Sequence, residues 1–141
     1  MGLTLRCRRS GRCLDLSSGG FLRLRRAVSD RIGEPWSSHY RTLTDGRHNK
    51  DDAWFQAFDQ KTVEMIEKKS VSIKVVDFLL QSDIKGAIRY GACKQILRAI
   101  GDYDDNFNYG YAALPDQPRF KDFKDLLQEC VDLKSDLAWD N

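Results

Sequence analysis

V-S-I-K-V-V-D-F-L-L-Q-S-D-I-K-G-A-I-R-Y-G-A-C-K-Q-I-L-R-A-I, residues 71–100, is the stretch that decides the fold class. Val71, Val75, Phe78 and Leu79 recur at helical spacing and predict a helix over 71–81. Cys93, Ile96, Leu97 and Ile100 repeat the pattern and predict a second helix over 90–100. Ser82-Asp83-Ile84-Lys85-Gly86 reads as a short polar turn between them. A helix, a turn and a helix invite comparison with a calcium loop, and the ligands are missing. With Gly86 at the sixth loop position, the coordinating positions fall on Gln81, Asp83, Lys85 and Ala92. Lys85 puts a cation where an oxygen is needed and Ala92 has no oxygen to offer. The motif is scaffolding.

Outward from this stretch, the pattern remains mostly helical. Phe21, Leu24, Val28 and Ile32 form one stripe, which Ser18 begins as N-cap and Gly33 and Pro35 end. Arg23, Arg26 and Arg31 project away from that stripe. Residues 34–50 read as a loop or a short broken helix anchored by Trp36, Tyr40 and Leu43. Asp51-Asp52 suit a helix N-terminus, and Lys68-Lys69 its end. The clearest amphipathic helix spans 119–134, with Phe120, Phe123, Leu127, Cys130 and Val131 on one side.

Two places read as strand. Leu3 and Leu5, then Leu14 and Leu16, predict a hairpin turning near Ser10-Gly11. Phe107, Tyr109 and Tyr111 alternate as one late strand would. Leu137-Ala138-Trp139 either adds a strand or packs Trp139 on the core. The expectation is therefore a mainly helical α+β fold, one domain over residues 1–141, with a short N-terminal hairpin and one late strand. Its core should hold Leu3, Leu5, Phe21, Leu24, Val28, Val75, Phe78, Leu79, Ile96, Leu97, Ile100, Phe123, Leu127 and Trp139.

Composition narrows the function. The chain is 41% hydrophobic and 31% charged, ordinary for a soluble protein, and no apolar run reaches the roughly 18–20 residues of a membrane span. The net charge of +2 hides a gradient: +6 over residues 1–32, +2 over 33–100 and −6 over 101–141. Such polarity either steers a partner or marks ends that lie side by side in the fold. Arginine without lysine at the start suggests a mitochondrial presequence, but Leu3 and Leu5 alternate like a strand, and Asp15 and Asp30 break the acid-poor pattern. Cys7, Cys13, Cys93 and Cys130 have no zinc spacing and read as reduced thiols of a cytosolic protein. Cys93 and Cys130 belong to apolar helix faces, and Cys7 and Cys13 face each other across the hairpin. A sharper reading makes Cys7 or Cys13 a low-pKa thiolate among arginines.

Catalysis finds no support in the pattern. His39 and His48 lie in a loop region at a spacing that fixes no shared geometry, and no nucleophile elbow, phosphate loop or dinucleotide fingerprint occurs. The segment 102–113 is rich in oxygen ligands, yet Phe107 and Ala113 stand where a calcium loop needs Gly and Glu. The expectation is no enzyme, no cofactor and no metal. For nucleic acid, Arg6, Arg8, Arg9 and Arg12 near the hairpin and Arg23, Arg25, Arg26 and Arg31 on the following helix supply an electrostatic footprint. The candidate binding residues for nucleic acid or a partner are Arg8, Arg9, Arg12, Arg23 and Arg26. Against nucleic acid, the remainder of the chain is net negative.

The opening M-G-L-T-L, G-F-L-R-L-R at 20–25 and D-F-L-L-Q-S-D-I-K-G-A-I-R-Y-G-A-C-K-Q-I at 77–96 resemble small uncharacterised proteins of phages and prophages. K-D-F-K-D-L-L-Q-E-C at 121–130 and Trp139 are similar too. The resemblance implies a virus-derived protein of a bacterial host cytoplasm, carries over no established activity and names no catalytic residue. Together these readings lead to a non-enzymatic protein-interaction module, with self-association one form of it. A nucleic-acid binder and a small-ligand-binding or anti-host-defence protein are the alternatives. A pocket lined by Tyr, Arg and Asp would favour the ligand binder.

Overall fold

The computed structural model describes residues 2–46, 49–106 and 120–141. Two strands begin it, β1 (Gly2–Cys7) and β2 (Cys13–Ser17), followed by α1 (Ser18–Ile32), α2 (Trp36–Thr44), α3 (Asp52–Glu67) and α4 (Ile73–Leu80). Then come β3 (Lys85–Ile88), α5 (Tyr90–Ile100), α6 (Phe120–Leu133) and β4 (Leu137–Asp140). The fold is α+β, with the strands in one antiparallel sheet of order β2-β1-β4-β3.

The hairpin forms because Leu3, Leu5 and Cys7 alternate inward on β1 while Gly11, at φ +77°, closes the turn without a Cβ penalty. Gly11 N–H donates to Cys7 C=O and Cys7 N–H to Arg12 C=O. Leu5 sits opposite both Leu14 and Trp139, so β1 is a central strand. Leu16, Ile88, Leu137 and Trp139 join the inward face, and the helices cover it. Arg6, Cys13, Asp15, Lys85 and Asp140 stay exposed on the opposite face. Cys7 and Cys13 thus lie on opposite faces of the hairpin and do not meet across it; the register places Cys13 opposite Arg6.

The helix ends follow their local chemistry. Ser17 caps α1, accepting from Gly20 N–H; the cap is one residue before the expected Ser18 because Ser17 is still extended, at ψ 162°. Asp51 caps α3 by accepting from Trp54 N–H, and Ser72 caps α4. The segment 34–50 contains a continuous helix, α2, which buries Trp36, Ser37, His39 and Tyr40. Tertiary burial of those rings outweighs the Pro and Gly punctuation that marks a loop.

The turn at 82–86 needs the largest correction. Lys85–Ile88 pairs with β4 as an edge strand, Gly86 opposite Trp139 and Ile88 opposite Leu137. Lys, Gly and Ala have poor strand propensity, so the partner strand makes β3, not its own residues. Its outer edge is covered: the Gln81 amide donates to Ala87 C=O at 2.8 Å and accepts from Ala87 N–H at 3.0 Å. A short edge occupied in this way offers little template for a further strand. The expected late strand at 107–111 lies outside the described residues, and the C-terminal strand is Leu137–Asp140.

The core collects at Phe21, Phe78, Phe123 and Trp139, whose rings are 5.6–6.0 Å apart by centroid. Trp139 reaches it from the last strand and donates its Nε1–H to Ser82 C=O at 2.9 Å. Every expected core residue is buried except Leu97, which is only partly buried on α5. Among the described residues no helix is long and apolar enough to cross a membrane.

Candidate functional site

The arginines divide into two groups once the chain is folded. Arg8, Arg9 and Arg12 share the β1–β2 turn, and β4 brings the acidic end of the chain beside them. Arg8 Nη1 lies 3.0 Å from Asp136 Oδ2, and Arg12 Nη1 lies 3.6 Å from Glu129 Oε1. Ser10 donates to the other Glu129 oxygen, and Arg9 N–H donates to Ser135 Oγ at 3.0 Å. Arg23 and Arg26 are exposed on α1. On the next turn of that helix, Arg31 binds Asp102 at 2.6 Å. Arg8, Arg12 and Arg31 of the basic start thus meet Asp136, Glu129 and Asp102 of the acidic end inside one molecule.

Arg25 behaves otherwise. Only 6% of it is exposed, and its Nε and Nη2 are buried with no hydrogen-bond partner among the described residues. Its Cζ stands 4.2 Å from the Phe21 ring centroid and 5.7 Å from those of Phe78 and Trp139. Burial pushes its pKa down to about 10, with Tyr40 and Asp83 pulling the other way, so it remains a cation at neutral pH. Burial raises the Tyr40 phenol in turn. Arg25 and Tyr40 line a cleft of about 260 Å³ with Phe21, Leu43, Leu79 and Asp83.

The periodicity contains the signal for this site. Arg25 lies four residues after Phe21 and three before Val28, within the apolar stripe and not opposite it. Composition alone counts it with its exposed neighbours. An arginine on the buried face of a helix, beside two aromatic contributors far away in sequence, is the pattern to look for.

A second, larger cleft of about 680 Å³ opens at the start of α5, lined by Lys74, Asp77, Arg89, Tyr90 and Asp136 among others. Its charges are mixed, and Asp136 is already engaged by Arg8. Lys74 stands over the first turn of α5, where a Cβ on Gly91 would come 3.0 Å from its Nζ.

His39 is not a loop residue: it lies in α2, 5% exposed, stacked on Phe58 at 4.1 Å. Thr62 donates its hydroxyl to Phe58 C=O at 2.9 Å, so it accepts from His39 Nε2 at 2.8 Å, which places the proton of the neutral ring on Nε2. Burial and Lys61 lower the His39 pKa. This histidine fastens α3 to α2. His48 lies outside the described residues.

All four cysteines are free; Cys7, Cys93 and Cys130 are buried and Cys13 is exposed. Burial pushes the Cys7 thiol up, but hydrogen bonds involving Ser10 and Ser135 outweigh it and bring it down to about 7. Cys93, then burial, then Cys7 push the Cys130 thiol up. Cys7 has the lowered pKa of a reactive thiol without the access one needs, being fully buried. Among the described residues, no three His, Cys, Asp or Glu side chains are grouped so as to hold a metal ion.

Compared with family models, with curated proteins and with solved structures, the chain finds no significant match.

Proposed function

We propose that the chain is a non-enzymatic protein-interaction module of the phage-like type its sequence resembles, acting in a bacterial cytoplasm through α3. The observation that carries this reading is the burial of α3. Only Phe58, Thr62 and Met65 of its sixteen residues are buried. Phe55 and Val63 are 42% and 51% exposed. A helix buried at so few positions, with Phe55 and Val63 left exposed, suits docking against a partner's groove.

The nucleic-acid alternative loses support because Arg8 and Arg12 already have carboxylate partners, and phosphate would have to displace them. The test is a photo-crosslinking residue installed at Val63 or, as a control on the open sheet face, at Lys85. A discrete protein adduct at Val63 and none at Lys85 is expected, and sedimentation velocity separates self-association from a foreign partner. Nucleic-acid adducts, or identical adducts at both positions, would overturn the reading.

A further inference from the structure

Apart from the α3 surface, and independent of what docks there, a cleft of about 410 Å³ opens where three helices end. Arg31 from the last turn of α1, Lys69 just beyond α3 and Arg98 from the last turn of α5 line it. Among the described residues no carboxylate lines it with them. All three cations are exposed, so a ligand in the cleft can reach them. Ile32, Val71, Val75 and Ala99 give it an apolar wall.

Cations at helix C-termini often serve the helix itself, but here other groups do so. The backbone N–H groups of Lys68, Lys69 and Ser70 answer the C=O groups of Glu64, Ile66 and Met65 at the end of α3. Lys124 Nζ donates to Gly101 and Tyr103 C=O just past α5. Lys69 Nζ and the Arg98 guanidinium are left without a hydrogen bond or ion pair. Arg31 is held in place by Asp102 on Nη2 at 2.6 Å and by the Tyr103 ring, 5.5 Å from its Cζ, which leaves its other nitrogens to donate. Gln95 lines the cleft too, and because its Oε1 accepts from the Ser72 hydroxyl, its amide N–H groups are the part left unanswered. The charged and amide groups still open here are all donors. A phosphate monoester matches them with three acceptor oxygens and close to two charges, where a carboxylate brings two oxygens and one charge. The volume falls within the roughly 300–1,000 Å³ of small-molecule sites. We propose that this cleft binds a small phosphate monoester, its phosphate among Arg31, Lys69 and Arg98 and its organic part on the apolar wall.

The probe is phenyl phosphate at constant ionic strength, with phenyl sulfate as the singly charged control and inorganic phosphate as the control without an organic part. Titration calorimetry should give a Kd below about 1 mM for phenyl phosphate and roughly tenfold weaker binding for both controls. The amide resonances of Ser70, Ser72 and Arg98 should move with the ester. Lys69 stands at φ +60°, where glycine is unstrained, so Lys69→Gly should keep or raise Tm while weakening binding about tenfold. Arg98→Gln should weaken it as much, and Arg26→Gln, at an exposed position of α1 outside the cleft, should leave it unchanged. Equal binding of the sulfate, undiminished affinity in Lys69→Gly and Arg98→Gln, or an equal loss in Arg26→Gln would overturn the proposal. Inorganic phosphate binding as tightly as the ester would overturn the role of the apolar wall. An oligonucleotide that moves the same resonances at lower concentration would overturn the assignment to a small ester.

Discussion

Arg8 and Arg25 are the same residue seventeen positions apart, and the fold treats them in opposite ways. Arg8 stands on an exposed turn with an acidic partner at 3.0 Å, and Arg25 is buried over Phe21 with two donors unanswered. Water screens the first pair, so its contribution to stability is small. The second cation has lost water and gained only aromatic faces, so it weighs on the fold unless an anion joins it. An arginine's place in the fold, more than the density of arginines around it, decides whether it can be a binding group.

The contrast breaks most visibly at the cage itself. Phe78 is fully buried against Phe21, Phe123 and Trp139, and Phe78→Ala should cost about 3–5 kcal/mol in urea unfolding. Leu97→Ala, at a half-buried position, should cost clearly less. Gly86→Ala attacks the same region from the sheet. Its new Cβ would come 2.3 Å from Trp139 Cζ2 and 2.7 Å from Gln81 Oε1, and a loss of roughly 1–3 kcal/mol is expected.

Arg25→Met tests the sign of the comparison. Exchanging an unpaired buried cation for a similar apolar volume should stabilise the protein by about 1–2 kcal/mol, read from the urea midpoint. A loss of that size would mean that Arg25 has an acceptor in solution. The smallest effect belongs to Arg8→Ala, expected to cost under about 1 kcal/mol and to fade further at high salt.

The α2–α3 contact gives the comparison a pH axis that the exposed arginines lack. With its pKa lowered from 6.5, folded His39 takes up a proton less readily than the unfolded chain does. The stability it confers is therefore complete above pH 6.5 and is lost as the pH falls toward the folded pKa. Near-ultraviolet circular dichroism of the Trp54–Phe58 stack should report this loosening, and His39→Gln should flatten the response.

Local patterns carried much of the fold. Inward alternation at Leu3 and Leu5 fixed the hairpin, and the Phe120–Leu127 stripe fixed the last long helix, because burial on one face imposes its period on the sequence. Asp51 and Gly33 marked helix ends through bonds that reach only a few residues. The partners of the exposed arginines were legible only as opposite charges at opposite ends of the chain.

What the sequence determined by itself, then, was the number and type of most helices, the hairpin and nearly all of the core, each written in contacts a few residues long. The tertiary structure alone decided that Lys85–Ile88 is a strand, since β4 supplies its bonds from about fifty residues away. It alone sealed Arg25 beneath Phe78 and Trp139, and set Asp136 and Glu129 against the basic turn. Pairing and desolvation depend on which distant segments meet, and a local period carries no information about that.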